Sequence, residues 1–115
     1  MWVAGPGALL VAKVHKIAER IDHNDRVRDK DALDVLRLLR AVHTDDLAAR
    51  LRTLGADKLA GRVTEEALEL LPTLFGSPTG DGVVIAVRAT GGAEDAATVA
   101  GSFVALVDDL GASLA

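Results

Sequence analysis

The sequence predicts an all-α protein, an irregular bundle of about five helices formed as a single domain by residues 1–115. Half of the residues are hydrophobic, mostly Ala, Leu and Val, which is enough for one modest core. Apolar residues recur at spacings of three and four in most segments, which is the period of an amphipathic helix. The β-branched run at 83–88 has no second strand to pair with, so we expect a short buried helix there as well.

The first two helices are predicted on either side of a polar loop. Residues 5–7, Gly-Pro-Gly, suit a helix start. The apolar residues that follow at helical spacing are Leu10, Val14, Ile17 and Ile21. The polar segment 22–28 is predicted to be a loop. A second helix is expected to begin near residues 29–31 and to end near Val42, with acidic residues first and basic residues last, as the helix dipole favours.

The remaining helices are predicted from their capping residues and stops. Thr44 is expected to be the N-cap of a third helix that ends before Gly55. Thr64 is expected to cap a fourth helix that ends at Phe75. The last helix is predicted to begin near residues 94–95 and to be closed by Gly111. Its apolar residues at helical spacing are Val99, Phe103, Leu106, Val107 and Leu110.

Composition excludes several classes of function. The absence of cysteine excludes disulfide scaffolds, thiolate metal sites and cysteine nucleophiles. Trp2, Phe75 and Phe103 are the only aromatic residues, so an aromatic platform for nucleic-acid bases is not expected. No segment reaches the roughly 18–20 apolar residues of a membrane helix. The first residues lack the basic region of a signal peptide, so we predict a soluble, cytoplasmic protein with no membrane contact.

The net charge of −4 is unevenly distributed along the chain. Residues 1–62 hold 12 basic and 9 acidic groups, whereas residues 63–115 hold one basic and eight acidic groups. The acidic second half argues against direct DNA binding, and the basic first half suits a smaller anionic ligand. Charge alone leaves the alternative open that these residues are only solvated helix faces.

Candidate chemistry is concentrated in the first two helices. Asp31 and Asp34 lie three residues apart on one helix face, and two like charges at that distance require a cation between them. If the two helices pack antiparallel, Lys13 or Lys16 meets these carboxylates. We expect Lys13 to face Asp31 or Asp34, an arrangement suited to holding nucleotide phosphates. The alternative is that the acidic residues only serve the helix N-terminus and that Lys13 is solvated.

Other motifs carry less information. The glycine-rich segment 76–82 lacks the spacing of a phosphate-binding loop and follows a helix, so we expect a plain connector. His15, His23 and His43 fall in different segments, and a metal site built from all three is not expected. The serines have no visible base partner, which gives no support to serine catalysis.

The two charged motifs resemble those of a known family. Residues 12–16 read Ala-Lys-x-x-Lys, and residues 28–35 read Arg-x-Lys-Asp-x-x-Asp-Val after a loop. This pattern resembles the later motifs of the DNA polymerase β-like nucleotidyltransferase superfamily. It is most similar to the group that contains the abortive-infection toxins of bacterial toxin–antitoxin pairs. The resemblance covers roughly residues 5–42.

The resemblance implies a role for each charged residue of these motifs. Lys13 would bind nucleotide phosphate, and Lys16 would assist it. Asp31 and Asp34 would orient the lysine, and Lys30 stands at the basic position before the first aspartate. The implied ligand is a nucleoside triphosphate, and the implied reaction is transfer of its nucleotidyl group.

The chain departs from this family at one decisive point. Family members carry an earlier Gly-Ser or Gly-Thr turn and paired carboxylates on a mixed sheet, which hold magnesium ions for the transfer. Here Gly76-Ser77 and Gly101-Ser102 are not followed by a strand with Asp-x-Asp. We therefore expect the C-terminal helical part of a longer enzyme, or a remnant. It would bind a nucleoside triphosphate weakly and would need Mg²⁺ only together with the missing N-terminal region.

The alternative is a small non-enzymatic interaction or oligomerisation module, such as a homodimer. Exposed apolar surface separates the two hypotheses. A subdomain without its sheet is expected to expose a patch that includes Trp2 and the apolar face of the first helix, whereas a self-sufficient module would cover that patch or bury it in a dimer.

Overall fold

The computed structural model describes residues 5–22 and 26–115, which form six helices and no strand, and it confirms the all-α fold class. The helices are α1 (Pro6–Glu19), α2 (Arg26–Ala41), α3 (Thr44–Ala56), α4 (Gly61–Phe75), α5 (Asp81–Ala89) and α6 (Ala96–Leu114). Together they form an irregular bundle with extents of 40 × 27 × 26 Å.

The helices surround one core without following their order in the chain. α1 packs against α2, α3 and α4, while α2 also contacts α5, and α3 contacts α6. In the core the ring of Phe75 in α4 stacks on the ring of Phe103 in α6, with ring centroids 4.6 Å apart. The predicted apolar stripes of α1 and α6 face this core, apart from Ile21 and Leu106, which are half-buried.

The β-branched run is a buried helix, as predicted. Within α5, Val83, Ile85 and Ala86 are buried against the rest of the core. Gly82 allows this close packing, because a Cβ atom at this position would lie 2.5 Å from Cε1 of Phe75. Tertiary packing thus overrides the strand propensity of the run.

The predicted start of the second helix is wrong. α2 begins at Arg26, within the segment predicted to be a loop. The buried guanidinium of Arg28 donates to the carbonyl oxygen of Ile21 at 3.1 Å and to Asp29 Oδ1 at 3.1 Å. The bond to Ile21 connects the first turn of α2 to the residues that follow α1. The polar composition of the segment did not indicate this contact.

The predicted cap and stop of the third helix are also wrong. His43 is the N-cap, and its Nδ1 accepts a hydrogen bond from the backbone N–H of Asp45 at 3.3 Å. Thr44 is the first helical residue, and the helix continues through Gly55 to Ala56. A glycine lowers helix stability by only about 1 kcal/mol, which packing can outweigh.

α4 begins three residues earlier than predicted. It starts at Gly61, so Thr64 is a buried residue inside the helix and not its cap. The turn before the helix is organised by Asp57, whose Oδ1 accepts from the N–H groups of Leu59 at 2.8 Å and Ala60 at 3.0 Å. These two hydrogen bonds hold the pKa of Asp57 below its ordinary value.

α6 starts where the sequence predicts and ends later. Asp95 is its N-cap, with a carboxylate that accepts from the N–H of Thr98 at 3.1 Å. The expected stop at Gly111 is wrong, since the helix continues to Leu114.

Among residues 5–22 and 26–115, α6 is also the one helix long and apolar enough to cross a membrane, by length and composition. Its outer face carries the exposed residues Asp108 and Asp109. Its inner face packs into the core through Val99, Phe103, Val107 and Leu110. A buried apolar face opposite an exposed, charged one is typical of an amphipathic helix that packs on the core of a globular domain.

Candidate functional site

Lys13 lies between two carboxylates where α1 packs against α2. Its Nζ donates to Oδ1 of Asp31 at 2.7 Å and to Oδ2 of Asp34 at 3.0 Å. Both aspartates reach one ammonium group because their spacing places them on the same face of α2. This confirms the predicted contact between Lys13 and the two carboxylates.

Burial differs sharply across this cluster. The side chain of Asp31 is only 4% exposed, whereas those of Lys13 and Asp34 are 23% and 21% exposed. Within the described part of the chain, Oδ2 of Asp31 is buried and has no hydrogen-bond partner. Among the residues described, Lys13 is thus the one hydrogen-bond partner of the Asp31 carboxylate, whereas buried polar atoms are almost always paired.

The cluster fixes the ionisation of Lys13 and Asp34. Hydrogen bonds to Asp31 and Asp34 raise the pKa of Lys13 above its ordinary value of 10.5, against the opposing effect of burial. Burial acts to raise the pKa of Asp34, but the hydrogen bond and charge of Lys13, with help from Arg37, hold that pKa below 3.8. At neutral pH Lys13 is therefore a cation and Asp34 an anion, which suits charge pairing and not proton transfer.

Sequence analysis missed the part that Arg37 plays beside this cluster. Its Nη1 donates to Oδ1 of Asp34 at 3.2 Å, so Asp34 binds one cation with each of its oxygens. The side chain of Arg37 is 68% exposed. The signal was the i,i+3 spacing of Asp34 and Arg37, which places both on one helix face.

An open groove of about 320 Å³ runs along this cluster between α1 and α2. The groove is lined by Leu9, Lys13, Asp34, Arg37, Leu38 and Ala41. Charged groups therefore border one part of the groove, and aliphatic side chains border the other.

The other two predicted site residues lie at the periphery. Lys16 and Lys30 are both exposed, and neither shares a hydrogen bond with the carboxylates in the described part of the structure. The positive charge of Lys30 helps to lower the pKa of Asp34, which places it near the cluster. The substrate-binding roles of Lys16 and Lys30 stay predictions.

The histidines do not converge where the structure describes them. His15 Nε2 lies 2.8 Å from the carbonyl oxygen of Val63 and links α1 to α4, while His43 caps α3. His23 lies outside the described residues. Within 5–22 and 26–115 there is no group of three His, Asp or Glu side chains that could hold a metal ion. The glycine-rich segment 76–82 leads from α4 into the start of α5.

Comparison of the chain with protein-family models, curated proteins and solved structures finds no match in any of the three. The resemblance to nucleotidyltransferases therefore rests on the charged residues of α1 and α2.

Proposed function

We propose that this chain is the helical region of a nucleotidyltransferase-like protein, in which Lys13 binds the phosphates of a nucleoside triphosphate. The proposal is supported by one observation above all: an ammonium group held by two carboxylates at the edge of an open groove. We also propose that the protein is cytoplasmic and, by the same resemblance, that it is a component of a toxin–antitoxin pair.

The geometry leaves Lys13 able to bind an anion. A lysine ammonium has three N–H donors, and here two of them donate to Asp31 and Asp34. Within the described residues the third donor has no partner, and Lys13 lines the groove. Because the carboxylates already fix the Lys13 side chain, that side chain loses little further conformational entropy when a phosphate binds.

The local charge limits how tightly the isolated chain can bind. Lys13 with its two carboxylates carries a net charge of −1, and Arg37 brings the group to zero. One charge-assisted hydrogen bond contributes about 1.5–3 kcal/mol. A dissociation constant near 1 mM requires about 4 kcal/mol. A single contact falls short of that value, so we expect a dissociation constant of roughly 5–80 mM from it, with additional contacts needed for tighter binding.

The chemistry of transfer would have to come from another region. Asp31 and Asp34 do not suit Mg²⁺, because Nζ of Lys13 occupies the position between them where a shared ion would lie. Lys13 itself stays protonated and cannot act as a base. This chain would thus contribute phosphate binding and a wall beside the nucleotide, while paired carboxylates elsewhere would supply the metal site.

Titration of the ¹⁵N-labelled protein with each nucleoside triphosphate, followed by NMR, tests the proposal. We expect amide shifts concentrated along the facing sides of α1 and α2. In the variant Lys13→Gln/Asp31→Asn, which keeps a neutral hydrogen-bonding pair, these shifts should vanish. The matched control, Lys58→Gln, changes an exposed lysine outside the groove and should bind as the unchanged protein does. Identical shifts in both variants, or none in the unchanged protein, would contradict the proposal.

The interaction module is the second candidate, in which apolar residues exposed on one chain would be buried in a dimer. Leu9, Leu59 and Val63 are 42%, 93% and 46% exposed. Trp2, which was expected to extend such a patch, lies outside the described residues. This alternative predicts a concentration-dependent homodimer in sedimentation equilibrium, dissociated by Leu59→Ser, and no nucleotide-induced shifts.

A further inference from the structure

Arg37 differs from its neighbour on α2 in how many of its donors are engaged. One turn later, Arg40 donates hydrogen bonds to both carboxylate oxygens of Glu94, at 3.0 and 3.1 Å, and to Ser102 Oγ at 3.1 Å. Arg37 makes a single hydrogen bond, to Asp34, among the described residues. A guanidinium has five N–H donors, so most of those on Arg37 face the groove or solvent.

We infer that Arg37 is a second anion-binding residue and that the α1–α2 groove binds a nucleotide along its length. The phosphates would lie between Arg37 and the free donor of Lys13, and the sugar and base would lie against Leu9, Leu38 and Ala41. The inference rests on the proposed function. It adds Arg37 and an apolar surface, which together would fix the orientation of the nucleotide in the groove.

Asp34 is the residue that pairs the two cations. Its Oδ2 accepts from Lys13 at 3.0 Å and its Oδ1 from Arg37 at 3.2 Å, so it positions both beside the same groove. An exposed i,i+3 pair contributes little to stability, so the fold does not require Arg37 to be an arginine. A planar guanidinium with unused donors matches the geometry of two phosphate oxygens better than an ammonium does.

The remainder of the groove suits the apolar part of a nucleotide. Leu9 is 42% exposed, which leaves an aliphatic surface open to a ligand. A volume of about 320 Å³ falls at the lower end of the roughly 300–1,000 Å³ usual for small-molecule sites. The side chains at this end offer neither aromatic rings nor polar groups that would read a base edge. We therefore expect the four nucleoside triphosphates to bind with affinities within about tenfold of each other.

The test compares ATP with inorganic tripolyphosphate, both titrated into the full chain and followed by NMR. Arg37→Gln should weaken both ligands by about tenfold, the equivalent of one charge-assisted contact. In the unchanged protein the Nε–Hε signal of Arg37 should shift with either ligand. The matched control is Arg62→Gln, which changes a 90% exposed arginine that pairs with Glu66 within α4, outside the groove; it should change neither affinity.

A further variant separates the apolar part of the groove from the phosphate subsite. Leu9→Ser should weaken ATP several-fold and leave tripolyphosphate unchanged. If it affects neither ligand, the base does not lie on this surface, and that part of the inference is wrong.

The outcomes also separate this inference from the proposed function. If Lys13→Gln/Asp31→Asn abolishes binding while Arg37→Gln has no effect, the role of Arg37 is refuted and the proposed function stands. If neither ATP nor tripolyphosphate binds the unchanged protein, both are refuted.

Discussion

Replacement of Lys13 by methionine should destabilise the fold far more than an exposed lysine normally would. The substitution keeps the length of the side chain and removes its charge. Among the described residues, Asp31 would then lose its one side-chain hydrogen bond and the cation that faces it, in a position where its side chain is 4% exposed. Asp34, at 21% exposure, can recover hydration and keeps Arg37 as a partner.

The size of the effect follows from this burial. Removal of one partner from a buried ion pair typically costs about 3–5 kcal/mol, because the other charge is left uncompensated. Lys13 is itself 23% exposed, so we expect the lower end, about 3 kcal/mol. That is a large share of the roughly 5–15 kcal/mol that stabilises a typical domain. It corresponds to a fall in Tm of roughly 10–15 °C.

Urea unfolding at pH 7, followed by circular dichroism at 222 nm, measures this loss. Lys16→Met, one turn away on the exposed side of α1, is the matched control and should change the free energy of unfolding by less than about 0.5 kcal/mol. Lys13→Met/Asp31→Leu should recover most of the stability, since apolar replacement of both partners removes the stranded charge. A single variant as stable as the control, or a double variant no more stable than the single one, would refute the reasoning.

Five other outcomes are expected. Because the pKa of Lys13 is raised above 10.5, its stabilisation is complete below that pH and is lost as the pH rises through the folded-state value. The pKa of Asp34 is lowered below 3.8, so its stabilisation is present above that pH and is lost as the pH falls through its folded-state value. Urea midpoints measured across both ranges check these signs. Gly82→Ala should destabilise the protein by about 1–2 kcal/mol, because the new methyl group meets the ring of Phe75. Gly101→Ala, with no atom within 4 Å of its added Cβ, should stabilise α6 by about 0.5–1 kcal/mol in thermal unfolding. Incubated with Mg²⁺, labelled nucleoside triphosphates and total tRNA or cell protein, the chain should transfer no label; transfer that Lys13→Ala abolishes would contradict this.

The contact between Lys13, Asp31 and Asp34 could be predicted because it follows from charge and helical spacing. Two carboxylates on one helix face need a cation, and the preceding helix offers one at the right position. The i,i+3 spacing of Asp34 and Arg37 indicated that they could pair, but the position of Arg37 at the groove could not be predicted, because it depends on the side of Asp34 where the groove opens. The burial of Asp31 could not be predicted either, since an aspartate in the first turns of a helix is usually solvated.

The helix boundaries were harder to predict from the sequence, for a different reason. Thr44 and Thr64 are good capping residues, yet His43 caps α3, and α4 begins before Thr64. Gly55 and Gly111 were expected to stop helices that continue through them. Local preferences of about 1 kcal/mol decide such boundaries only where tertiary contacts do not. The helical state of 83–88 was predictable for the opposite reason, since the sequence pattern offers no second strand to pair with this run.

The stack of Phe75 on Phe103 constrains the order in which this protein can fold. α6 is the last of the helices along the chain, and it contacts α2, α3, α4 and α5. An intermediate made of the first four helices would leave Phe75 and the inner faces of α2 and α3 open to water. Such an intermediate is less stable than the whole bundle, because the apolar faces of α2, α3 and α4 that pack against α6 stay exposed to water until the last helix is in place. The bundle should therefore unfold as one cooperative unit, without a stable N-terminal half.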